Sequence, residues 1–159
     1  MRIGPRYDKS SANIVTSDDG QVIPWVDEVR YLGVYIVKST RFRCSVEYAK
    51  RSFYRAANGI LGKVGIASEE VVLQLLRMKC ISILMYGLDV CALNKRSLQS
   101  LDFTINRFFM KLFQTSDINI VTECRTFFSF ELPSVLIDKK IDKFIVHNSL
   151  QLVSRRPSE

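Results

Sequence analysis

Histidine is nearly missing from this chain: His147 is the only one among 159 residues. A hydrolase triad needs a histidine beside its nucleophile, and this one reads as a helix-surface residue near the C-terminus. Four cysteines are present, Cys44, Cys80, Cys91 and Cys124, and no two stand close enough for a Cys-x-x-Cys clip. With one histidine beside them they do not supply a structural zinc site, so no metal is expected. Cys80 and Cys91 lie in apolar stretches and are read as buried thiols of an intracellular protein. No secretory signal opens the chain, because Met1 to Asp8 is polar and basic. A long uninterrupted apolar run is lacking too. Val71 to Leu93 is broken by Gln74, Arg77, Lys79 and Asp89, which favours a buried helix over a membrane span. Gly59, Gly62 and Gly65 lack the strand-then-helix setting and the Lys-Ser/Thr ending of a phosphate-binding loop. There is no internal repeat and no low-complexity tract.

What is present is apolar material and positive charge. Hydrophobic residues make up 47% and charged residues 25%, enough for one ordered domain with a core. Lys and Arg number 23 against 16 Asp and Glu, a formal net charge of +7. Such a surface attracts polyanions, nucleic acid or anionic lipid, or belongs to a generically basic protein.

The first 40 residues read as extended. Ala12 to Thr16 and Gln21 to Val26 are strand candidates about a turn at Ser17-Asp18-Asp19-Gly20, with Pro24 marking an edge. Val29 to Ile36 is rich in β-branched and aromatic residues. Gly33 in its middle implies a bulge, a sharp bend or close approach by another backbone. These pieces form a small antiparallel sheet.

Beyond about residue 44 the apolar period changes from two to 3.6. Ser45 is placed as N-cap of a helix running to about Leu61, with Val46, Ala49, Phe53, Ala56, Ala57 and Ile60 on one face. A loop follows from Gly62 to Gly65, carrying Lys63. Ser68 caps a second helix to about Leu88, apolar nearly all round and therefore central. Ser97 caps a third, with Leu101, Ile105, Phe108, Phe109 and Leu112 as its stripe. A fourth spans about Ile118 to Phe128. Pro133 opens a fifth, to about Leu152, in the first-turn position that proline suits. The end of the chain, Ser154 to Glu159, reads as frayed. The expected fold class is α+β: a β region over 1–40, a helical bundle of about five helices over 41–152, and a tail over 153–159.

No catalytic constellation stands out. Asp18-Asp19 could hold a magnesium ion, but turn chemistry accounts for the pair without one. Glu69-Glu70 suits the positive end of a helix dipole. The basic residues Arg41, Arg43, Lys50, Arg51, Arg55 and Lys63 crowd one stretch, with Tyr48 and Tyr54 interleaved. Cations on a rigid helix can track a phosphate backbone, and tyrosines can pack on sugars or bases. The same pattern also describes a solvated helix face.

Tyr31-Leu32-Gly33-Val34, an aromatic-Leu-Gly-Val step after a short strand and before a basic helical region, resembles reverse transcriptases of non-LTR (LINE-type) retrotransposons. Met1-Arg2-Ile3-Gly4-Pro5-Arg6 is similar to the strand beyond that family's active-site hairpin. Ala49 to Asn58 is similar to its first thumb helix. Lys79-Cys80-Ile81 through Leu84-Met85-Tyr86-Gly87-Leu88 is similar to its long thumb helix, and Asn106 to Phe113 to the helix after it. The pieces span roughly residues 1–150 in the family's order.

The resemblance implies that Tyr31, Leu32, Gly33 and Val34 form a primer-grip-like hairpin and that the first thumb helix lies along template–primer duplex. The family's polymerase chemistry needs three aspartates holding two metal ions, two of them in an aromatic-Ala-Asp-Asp step. No such step occurs here, and Asp18-Asp19 falls downstream of where it would stand. The stretch Gly62 to Ser68 also lacks a basic residue that the pattern would place between Gly65 and Ile66. The expectation is therefore a fragment without polymerase activity or cofactor. It would bind RNA or an RNA–DNA hybrid weakly through Arg41, Arg43, Lys50, Arg51, Arg55 and Lys63. The alternative is a protein–protein interaction module, or an inert remnant, that self-associates through N-terminal strands stripped of their palm neighbours. The expected location is intracellular, nucleus or cytoplasm.

Overall fold

The structure, a computed structural model, describes residues 1–9, 12–18, 20–64, 68–88, 91 and 93–154. Two short antiparallel hairpins come first. β1 (Ile14–Val15) pairs with β2 (Val22–Ile23), and β3 (Glu28–Tyr31) pairs with β4 (Val34–Val37). They form two separate two-stranded sheets rather than the single small sheet that alternation alone predicts. The run from Val29 to Ile36 is likewise two strands. Leu32 and Gly33 both adopt positive φ, 47° and 82°, which is the two-residue turn whose twist suits a tight hairpin. Of the three readings of Gly33 the sharp bend holds; what approaches it closely is a side chain, not another backbone. A Cβ on Gly33 would stand 3.1 Å from the Tyr86 ring.

Helices build the rest. α1 (Val46–Val64) begins just after Ser45 and continues three residues beyond Leu61, so Gly62 and Lys63 end a helix instead of forming a loop. Residues 65–67, with the expected missing basic position, lie outside the described residues. Ser68 is the N-cap residue of α2 (Glu69–Leu75), although its side chain makes no capping hydrogen bond. A π-helical turn, Leu76–Cys80, joins α2 to α3 (Ile81–Met85) without a break. This rod is buried on one side only, not all round as its apolar composition predicts. Val72, Leu73, Leu76, Cys80, Ile81, Leu84 and Met85 face the core, while Val71, Met78, Ile83 and Tyr86 are exposed. α4 (Lys95–Leu112) is capped by Asn94, whose side chain accepts from the Ser97 amide, so the cap stands three residues before Ser97. α5 (Ile118–Phe127) is capped by Asp117, and α6 (Pro133–Ser154) opens on Pro133. The fold is α+β.

The core lies among α1, the α2–α3 rod and α4, closed by Val121, Phe130 and Ile137. Phe53, Leu76, Leu84, Leu101, Ile105 and Phe109 are fully buried there. Each such side chain removed from water contributes on the order of 1.5–3 kcal/mol. The hairpins have no comparable burial, and every residue of β1, β2 and β3 is exposed.

Two of the ties that seat the second hairpin on the bundle lie at the end of α3. Val34 packs against Gly87, where φ is 68° and an added Cβ would fall 2.4 Å from Val34 Cγ2. Gly87→Ala therefore suffers both backbone strain and a clash, and we expect a loss of about 1–3 kcal/mol in chemical denaturation. The second tie is covalent. Cys44 is bonded to Cys91 across 47 positions, which corrects the reading of Cys91 as a free thiol. The segment after β4 runs back along that strand, through an Ile36–Cys44 bridge, and so meets the turn that follows α3. Chain spacing alone carries no sign of this meeting. A link closing a loop of that length stabilises the fold by about 4 kcal/mol in the chain-entropy picture.

Cys80 and Cys124 are the free cysteines among the described residues. Cys80 is fully buried, and that burial pushes its thiol pKa up, away from the reactive thiolate. Alkylation of the native protein followed by peptide mass spectrometry should label Cys124 well before Cys80.

Candidate nucleic-acid interface

The apolar stripe of α1 turns Val46, Phe53 and Ala57 into the core, which leaves Arg51 and Arg55 on its exposed side, one turn apart. Among the described residues neither arginine has a carboxylate partner; the ion pairs are Lys38–Asp27, Lys50–Glu47 and Lys139–Glu131. Both arginines line an open groove of about 640 Å³ between α1, the β3–β4 hairpin and the end of α3. The hairpin wall brings Arg30, Gly33, Val34 and Tyr35, and the α3 end brings Ser82, Ile83 and Tyr86. The lining contains three guanidinium groups and no carboxylate.

A ring pair joins the two walls. Tyr35 of β4 stacks on Tyr48 of α1 with centroids 3.5 Å apart and planes 5° from parallel. Guanidinium carbons sit over each ring, Arg30 at 5.9 Å from Tyr35 and Arg51 at 5.4 Å from Tyr48. Cation–π attraction at these distances limits where the two arginines point. The Tyr48 hydroxyl donates to Glu28, and this bond, followed by partial burial, raises its pKa above the ordinary tyrosine value. The hydroxyl therefore stays a donor at neutral pH, holding α1 to β3. Tyr86 donates its hydroxyl to the Leu32 carbonyl at 3.2 Å, which anchors the hairpin turn from the other side.

The six basic residues singled out in the sequence divide between groove and elsewhere. Arg51 and Arg55 line the groove. Lys50 does not: it pairs with Glu47 at 2.7 Å, donates to Ser100 of α4 at 2.9 Å, and has a side chain only 18% exposed. It sits at the border of the apolar stripe, where its stem is drawn toward α4. Arg41 and Arg43 occupy the exposed link between β4 and α1, and Lys63 the far end of α1; none of the three lines the groove. Within the hairpin step, Gly33 and Val34 reach the groove while Tyr31 and Leu32 are exposed at the tip. Tyr54 packs on the core edge-on to Phe53, not outward with Tyr48.

Arg30, Tyr35 and Tyr86 join the site without being marked by the basic run or the hairpin step. The sequence does hold one signal for the first two. A two-residue turn at Leu32-Gly33 sets Arg30 directly opposite Tyr35, as the observed register does. Tyr86 has no such signal, since its position follows from how the hairpin docks.

Asp18 is exposed in the turn between β1 and β2, and Asp19 lies outside the described residues, as does the side chain of His147. Among the described residues no three His, Cys, Asp or Glu side chains gather in a way that could hold a metal ion. Nor, among them, is any helix long and apolar enough to cross a membrane. Comparisons with protein-family models, curated proteins and solved structures gave no match.

Proposed function

We propose that this chain is a truncated, reverse-transcriptase-derived fragment that grips template–primer nucleic acid, RNA or an RNA–DNA hybrid, without polymerase activity of its own. The observation that carries the reading is the groove: three arginines without carboxylate partners among the described residues face it from two independent elements. One of those elements is the hairpin whose Tyr-Leu-Gly-Val step resembles a primer grip, and the other is the helix that resembles the first thumb helix. Phosphate oxygens are the natural partners of such a cluster, and contacts of this type fix register without reading sequence. Tyr48 already has the Tyr35 ring flat against it, so base stacking on that pair is restricted and the backbone is the principal ligand. Affinity is expected to be weak, because one basic groove neutralises few phosphates.

Fluorescence anisotropy of a labelled RNA–DNA hybrid, titrated with the protein at low ionic strength, tests this directly. Saturable binding that is indifferent to base sequence supports it, and absence of binding removes it. Template-directed nucleotide incorporation by the purified chain would overturn the claim that it is no enzyme.

A second reading, self-association, is favoured by one feature. Ile14, Val15, Val22, Ile23, Trp25, Val26 and Val29 are all at least 40% exposed. Apolar surface on short strands invites pairing with a second copy. Sedimentation without nucleic acid separates the two, because a clean monomer at micromolar concentration speaks against self-association.

A further inference from the structure

The disulfide spans the same two bodies that form the groove. Cys44 lies beside β4: the Val37 amide donates to the Arg43 carbonyl at 3.1 Å, and the Ser45 amide to the Tyr35 carbonyl at 2.7 Å. Ser45 itself lines the groove, and α1 starts at the next residue. Cys91 follows the turn after α3, where its amide donates to the Leu88 carbonyl and its sulfur lies 3.1 Å from the Gly87 carbonyl oxygen. Apart from this bond, the hairpin is held to the bundle by the Ser45–Tyr35 backbone bond at the start of α1, the Tyr35–Tyr48 stack, two tyrosine hydroxyl bonds and the Val34–Gly87 contact. These are few, and β3 is exposed along its whole length. The helical core, by contrast, has its own buried residues and does not depend on the bond for burial.

We propose that Cys44–Cys91 is a redox latch on the groove. Oxidised, it fixes the hairpin wall, and with it Arg30, against Arg51 and Arg55. Reduced, it frees the turn after α3 from the edge of β4, the hairpin undocks, and the three guanidinium groups no longer converge. Cys44 is partly exposed while Cys91 is buried, so a small dithiol meets the bond from the Cys44 side. One dithiol thiolate attacks a sulfur of the bond to give a mixed disulfide. The second thiolate displaces it. Two electrons and two protons end on Cys44 and Cys91, and the reagent leaves as its cyclic disulfide. The freed Cys91 thiol then has the Gly87 carbonyl as a ready acceptor. The effect on ligand affinity rests on the groove being the phosphate-binding site; the effect on the hairpin does not.

The test uses the whole chain with and without a small dithiol. Alkylation in denaturant without reductant should modify two cysteines, and four after reduction. Hydrogen exchange followed by mass spectrometry should then show amides of 28–37 exchanging at least tenfold faster and with little protection left in the reduced protein, while amides of α4 stay protected although loss of the link lowers global stability. Under the same conditions, affinity for a labelled RNA–DNA hybrid should fall about tenfold. Cys91→Ser, and separately Cys44→Ser, should reproduce the reduced state; if either misfolds, reduction of the unaltered chain decides alone. Four reactive thiols before reduction would overturn the latch. So would hairpin exchange that ignores reduction, or an α4 left as unprotected as the hairpin, which would mark loss of the whole fold rather than release of the hairpin. If the hybrid binds in neither state while hairpin exchange responds, the latch stands and the nucleic-acid reading falls.

Discussion

Replacing Arg51 and Arg55 together by glutamate is expected to lower affinity for an RNA–DNA hybrid on the order of a hundredfold at low salt, with a loss of folding stability of no more than about 1 kcal/mol. Both side chains are exposed and neither has an acidic partner among the described residues, so no buried charge is left stranded by the change. The change forfeits the place of the Arg51 guanidinium over the Tyr48 ring, worth about 0.5–1 kcal/mol at an exposed site. At the ligand the change is severe, because two attractions become two repulsions in a groove that contains no carboxylate of its own. The salt dependence should weaken by about one unit of slope for each phosphate that is no longer neutralised. Lys50→Glu is the informative comparison. Lys50 is held by Glu47 and Ser100 on the side toward α4, so its reversal should disturb that corner and leave binding nearly unchanged.

The opposite face of the same helix carries the second large effect. Phe53→Ala should destabilise the protein by about 3–5 kcal/mol, measured by denaturant unfolding. Phe53 is fully buried and meets Phe108 of α4 edge-on at 6.2 Å between centroids. Truncation leaves a cavity where α1 joins the bundle, and neither the rod nor α4 can close it without pulling away from its other neighbours. The two variants together separate what α1 does for the fold from what it does for a ligand. The arginine pair should change binding far more than stability, and Phe53 should change stability first.

Helix placement is legible in the sequence because helices carry local punctuation. Pro133, Ser68 and the α1 stripe each mark an element within a few residues of where it stands. Misplacements have local causes as well. Serine suits the cap role and so points to Ser97, yet Asn94 three residues earlier accepts its amide. The glycines at 62 and 65 suggest a loop, yet α1 runs on to Val64. The α2–α3 rod looks apolar all round because Val71, Met78, Ile83 and Tyr86 are exposed apolar residues, which composition does not distinguish from core. Long-range facts are not legible. The Cys44–Cys91 bond and the position of Tyr86 both depend on how the β3–β4 hairpin docks, and nothing near either residue in the chain encodes that. Arg30 is intermediate, since its place opposite Tyr35 follows once Leu32-Gly33 is read as a turn.

Ionic strength offers the most direct check on whether this groove is a cationic one that takes phosphate. With unaltered protein and a labelled RNA–DNA hybrid, the logarithm of the binding constant should fall linearly with the logarithm of salt concentration. Three arginines each neutralising one phosphate predict a slope of about −2 to −3. A slope near zero, or binding that persists unchanged at high salt, would contradict the account.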